Sequence, residues 1–115
     1  MTIPGFGRVT PIQAAMLELA GYNLDPLKYG FDPARLAVKE IPDEEREAII
    51  RQGLSLLQET IGQDFGFDLS AWHECLKTRP ELEYRHPYGY QSTRRFIEAA
   101  VREAERERLV DGMSR

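Results

Sequence analysis

The chain holds one cysteine and two histidines, and His73, Glu74 and Cys75 place the cysteine two residues from one of them. Thiol and imidazole together are the usual donors of a zinc site and the usual parts of a thiol nucleophile. Spacing removes the first use. On a helix two residues are separated by about 200°, so His73 and Cys75 cannot face one metal ion. The second use needs a base, for which His86 is available, but Cys75 lies beside Trp72 and Leu76 on an apolar stripe and reads as a buried, inert thiol. His73 then falls at the surface or the boundary.

Two short motifs also fail to reach a chemistry. A His-x-Glu run serves nucleobase deaminases only when a separate Pro-Cys-x-x-Cys completes the zinc site, and no second cysteine exists here. Asp64-Phe65-Gly66 matches the magnesium tripeptide of protein kinases, yet neither a glycine-rich phosphate loop nor a catalytic loop accompanies it. The expectation is therefore a chain with no catalytic residue, no cofactor and no metal, in which Phe65 and Phe67 plug the core from a turn.

Two stretches remain as candidate binding surfaces. Glu40, Asp43, Glu44, Glu45 and Glu47 concentrate negative charge where a helix begins. Such a run complements the positive end of the helix dipole, and it would also steer a basic partner. Arg85, His86, Tyr88, Tyr90, Arg94 and Arg95 combine cations and aromatics around a glycine turn that feeds a helix start. This set would hold a phosphate or carboxylate, stack on a base, or form an interface. Its structural explanation is that the tyrosines anchor the loop and the arginines pair with the acidic helix.

The elements that must position these residues are helical. Asp43 to Ile61 carries the longest periodic pattern. Ile49, Ile50, Gly53, Leu54, Leu56, Leu57 and Ile61 fall within roughly 160° of arc, which predicts a core helix touching more than one neighbour. Pro42 and Asp43 start it and Gly62 stops it. Thr10, Pro11 and Gln13 form a capping-box start for a helix over Pro11 to Ala20, with Ile12, Ala15, Met16 and Leu19 as its stripe. A short helix is expected over Pro33 to Val38. Another runs from Asp68 or Ser70 to about Arg79, buried through Leu69, Trp72 and Leu76.

The stretch from Glu81 to Tyr90 reads as a loop, because His86-Pro87 and Gly89 oppose a long regular element. Ser92 or Thr93 starts the last helix, with Thr93, Phe96, Ile97, Ala100, Val101 and Ala104 inward. Beyond it Arg108 breaks the stripe and Leu109 and Val110 point away, so the final turns should project or fray.

The whole is read as an all-α bundle of four to five helices in one domain, residues 1–115. Its N-terminal third is irregular, residues 1–9 form an extended arm that packs Ile3 and Phe6, and residues 110–115 fray. At 115 residues such a domain buries about two thirds of its unfolded surface. The net charge of −4 argues against a nucleic-acid partner. A single cysteine and the lack of a leader or apolar span point to the cytoplasm and away from a membrane.

By elimination the expected function is a non-enzymatic protein-binding module of the immunity, antitoxin or inhibitor kind, which covers a basic partner with its acidic surface. A small-molecule or nucleotide site, with or without catalysis, at loop 85–95 is the alternative. A homodimer through the last helix is the third reading.

Overall fold

Thr10 is where the described body of the chain becomes regular. Its hydroxyl accepts from the Gln13 amide and the Gln13 side chain accepts from the Thr10 amide at 2.8 Å, so two of the orphan donors of a helix start are satisfied reciprocally. Pro11 needs no donor at the first helical position, and helix α1 runs Pro11–Leu19. The computed structural model describes residues 2–3, 7–22 and 42–113, without the side chains of residues 2–8 and of Tyr88. The expected helix over 33–38, the packing of Ile3 and Phe6, and Glu40 lie outside those residues.

Five α-helices follow one another among the described residues. After α1 come α2 (Asp43–Ile61), α3 (Leu69–Lys77), α4 (Pro87–Val101) and α5 (Ala104–Met113), with one 3-10 turn at Pro80–Leu82. The protein is all-α, apart from an antiparallel pairing of β1 (Thr2–Ile3) with β2 (Gly7–Arg8) inside the N-terminal arm.

The central element is α1, where the pattern of apolar residues alone points to α2. Ile12 to Leu17 and Leu19 are all buried, and Glu18 is half-buried with its carboxyl pushed up by burial. A helix buried nearly all round is a core helix, and each of Met16, Leu17 and Leu19 contributes about 1.5–3 kcal/mol of side-chain burial. By contrast α2 buries only Ile50, Gly53, Leu57 and Ile61, a single stripe. Leu54 is half-buried against the core, and Leu56 is 40% exposed. Gly53 explains how the two helices meet: a Cβ there would stand 2.8 Å from the Ala15 carbonyl oxygen. Small residues on both sides let the backbones approach.

Polar groups close the end of α1. Leu19 O accepts from Arg106 Nε at 3.2 Å and Nη2 at 2.9 Å, and Gly21 O accepts from Arg46 Nε at 3.2 Å. Two cations at the negative end of the helix are electrostatically favourable and satisfy carbonyls that no helical amide reaches. Arg46 also forms a two-pronged pair with Glu103, whose second contact, Nη2 to Oε1, is 2.7 Å.

That pair accounts for a departure from the expected last helix. The helix starts at Pro87, about a turn and a half before Ser92 and Thr93, because Pro87 itself serves as the first helical residue. It then stops at Val101, and Arg102 and Glu103 form a tight turn through amide bonds to Ala99 and Ala100. With Glu103 held by Arg46, α5 folds back instead of projecting. Arg106 and Leu109 are buried and Met113 packs on the core, so residues 110–113 do not fray. Val101 and Ala104, expected inward, are exposed.

Trp72 sits where expected. It is fully buried in one cluster with Leu57 and Ile97, with Leu54 against them. The Asp64-Phe65-Gly66 tripeptide builds its seat. Asp64 accepts from the Gly66 amide at 2.8 Å, Gly66 adopts φ +60°, and Gly66 O accepts from the indole N–H at 2.8 Å. The Phe65 ring meets the indole edge-on at 4.9 Å.

Candidate functional site

The acidic run begins α2, and the structure separates its members. Arg46, the one cation between Asp43 and Glu47, turns inward with its side chain 14% exposed, so it does not neutralise the surface beside it. Asp43 and Glu44 are exposed, and Glu45 and Glu47 are half-buried. Glu44 and Glu47 have no ion-pair partner among the described residues. Asp43 meets Arg108 at 3.1 Å, and the same guanidinium meets Glu105 at 2.9 Å. These two carboxylates raise the Arg108 pKa through the hydrogen bonds they accept.

This bridge brings α5 onto the acidic face, and sequence reasoning missed it. Asp43 and Arg108 are 65 positions apart, and a frayed last helix could not have met α2. Asp43 and Glu105 thus share the guanidinium of Arg108, beside Glu44, Glu45 and Glu47 of the same stretch of α2. Like charges gathered this way create a field that reaches beyond the contact surface.

The tyrosine and arginine set is dispersed. His86 is the N-terminal flanking residue of α4, and its carbonyl accepts from the buried Gln13 side chain at 3.4 Å, while Tyr84 O accepts from the same amide at 2.7 Å. The turn is therefore tied to α1. Arg94 and Arg95 lie two turns into α4, so the cradle of two arginines at a helix start does not form. Arg94 pairs with Glu98 at 3.8 Å and Arg95 lies 5.9 Å over the Phe96 ring. The acidic helix takes its arginine from α5, not from this set. Tyr88 falls in the first turn of α4, with its side chain outside the description.

Tyr90 and Arg85 belong to an aromatic cluster whose centre the sequence did not single out. Tyr84 is fully buried, and its hydroxyl lies 2.6 Å from His73 Nδ1. Tyr90 stacks parallel to His73 at 6.5 Å and meets Tyr84 edge-on at 5.9 Å, while Arg85 covers Tyr90 at 5.9 Å. Burial drives the Tyr84 pKa up and, with help from Lys77, the His73 pKa down, so both are held neutral. The pair stabilises the fold as a part-buried hydrogen bond between neutral groups. His73 is thus more than a boundary residue, and Cys75, expected buried, is half-buried.

The chain matches no known protein family, no curated protein and no solved structure. Its function has to be argued from its own residues. Among the described residues no three His, Cys, Asp or Glu side chains converge as metal ligands, and no helix is long and apolar enough to cross a membrane.

Proposed function

We propose that this chain is a non-enzymatic protein-binding module of the immunity or antitoxin kind, acting in the cytoplasm, that covers a basic protein with the face formed by the start of α2 and by α5. The carrying observation is the inward turn of Arg46. The run loses its own cation to Glu103, leaves Asp43 and Glu44 exposed with Glu45 and Glu47 half-buried, and draws Arg108 of α5 onto Asp43 and Glu105. A helix start satisfied only by its dipole would not need five carboxylates drawn from two elements. Such a face raises the encounter rate with a positively charged surface and disfavours acidic partners.

The test is capture from a lysate of the source cell on the immobilised protein, beside the triple variant Glu44→Gln, Glu45→Gln, Glu47→Gln. A basic protein retained by the wild type and released by moderate salt, with much weaker retention on the variant, is the expected result. A partner retained equally by both proteins would contradict the reading.

The alternative, a nucleotide or small-molecule site at the 85–95 turn, has one observation in its favour. A groove of about 520 Å³ runs along Leu76, Lys77, Arg79, Arg85 and His86. Lys77 and Arg79 are already paired with Glu74 and Glu81. A nucleotide at 100 times its dissociation constant would add about 2.7 kcal/mol of stability. A thermal shift of that order would favour the groove over the acidic face. The homodimer reading loses Leu109, which is buried in the chain's own core.

A further inference from the structure

Arg106 is 4% exposed, and among the described residues no carboxylate lies within ion-pair distance of it. Its Nε and Nη2 donate to Leu19 O, and Nη2 also reaches Phe67 O at 3.0 Å. Neutral carbonyls supply partial charge only, so the charge of a largely buried guanidinium is met in part. Nη1 has no acceptor among the described residues. Desolvation lowers the guanidinium pKa to about 10, Arg46 adds to the fall, and Glu107, Glu103 and Asp68 oppose it from beyond ion-pair distance.

The guanidinium lines a cavity of about 420 Å³ between α3, α4 and α5. That volume falls within the roughly 300–1,000 Å³ usual for small-molecule sites. Phe65, Phe67, Leu69, Val101 and Val110 form apolar walls, and Val101 at 47% exposure is one of two large hydrophobic residues left open among those described. Asp68, Ser70 and Glu107 complete the lining, all exposed. Apolar side chains on part of the wall, a buried cation and polar groups at the rim together describe the inverse of one ligand class.

We infer that this cavity binds an apolar α-amino acid, with its carboxylate on Arg106, its ammonium toward Asp68 and Glu107, and its side chain against Phe65 and Phe67. A carboxylate there forms a charge-assisted hydrogen bond with the open edge of the guanidinium. The ammonium answers the rim carboxylates, which would repel a simple acid. The cavity is distinct from the acidic face, so the inference stands or falls independently of the proposed partner.

The experiment is an NMR titration of the full chain with phenylalanine, 3-phenylpropionate and 2-phenylethylamine. Phenylalanine should shift the resonances of Phe65, Phe67 and Val101, and the two analogues should bind at least about tenfold more weakly. Arg106→Ala would also loosen the end of α1, so the deciding variant is Val101→Glu, a change at an exposed rim position that should weaken phenylalanine by about tenfold or more with the fold intact. No shift with phenylalanine up to about 10 mM would overturn the inference. So would 3-phenylpropionate binding as tightly as phenylalanine, or a Val101→Glu protein that binds like the wild type.

Discussion

Glu103 does two jobs with one carboxylate: it neutralises Arg46 and it fixes the turn between α4 and α5. Replacing Glu103 with alanine leaves a guanidinium that is 14% exposed with only the carbonyls of Ala20 and Gly21. A lost charge-assisted bond of this kind costs about 1.5–3 kcal/mol, which urea denaturation would register. The double variant with Arg46→Ala should then cost less than the sum of the two singles, with a coupling of about 0.5–3 kcal/mol. Additive single effects would separate the two residues.

His73 makes a second expectation, in pH. Its folded pKa is depressed below the ordinary 6.5 by burial, so the unfolded chain binds this proton more readily. The stability it contributes is complete above pH about 6.5 and is lost as pH falls through that value toward the folded pKa. Glu18, whose pKa is raised, acts in the opposite sense. The comparison must therefore be made by difference. His73→Gln should show a flatter loss of stability than the wild type between about pH 7 and pH 5. An imidazole titration midpoint above 6.5 in the folded protein would reverse the sign and remove the basis of the expectation.

Among the elements, the close crossing of α1 and α2 carries the clearest consequence. Gly53→Ala places a methyl 2.8 Å from the Ala15 carbonyl oxygen and against the backbone of Leu19, where neither can yield as a flexible side chain would. The forced separation should cost about 1–3 kcal/mol, against the small gain in helix propensity that alanine brings elsewhere. Trp72→Ala should cost more, about 3–5 kcal/mol, because its indole is fully buried in the core cluster that holds Leu57 and Ile97. Unchanged denaturation midpoints would sink both placements.

These elements also show what the sequence could disclose. Starts and stops written in adjacent residues were legible: the Thr10-Pro11-Gln13 box, the bounds of α2 from Asp43 to Ile61, Gly62 at φ +75° and the Asp68 cap of α3 all agree with their local signals. Features set by distant partners were not. No proline or glycine marks the break at Arg102, which depends on a pair 57 positions apart. The rank of α1 over α2 depends on Ala14, Ala15 and Gly53, small residues that weigh little in an apolar pattern and much in how closely helices approach. At the candidate site the carboxylates of α2 were legible and their junction with Glu105 through Arg108 was not.

For the molecule as a whole, a net charge of −4 is modest, and its distribution matters more than its size. Arg46 and Arg106 are drawn inside to close α1, and among the described residues Asp43, Glu44 and Glu105 stay exposed where α2 begins and α5 meets it. A field of this kind acts on encounter more than on dissociation, and salt screens it, with a Debye length of about 30 Å at 0.01 M and about 8 Å at 0.15 M. The same carboxylates acting only on the helix dipole would affect stability and leave encounter alone.

The association rate of the captured partner, measured at several ionic strengths for wild type and for the triple variant Glu44→Gln, Glu45→Gln, Glu47→Gln, separates these two roles most directly. The acidic-face account expects the variant to associate about tenfold or more slowly at low salt and to converge on the wild type as salt rises, with dissociation little changed. Equal association rates at low salt would contradict it and return these residues to the dipole of α2.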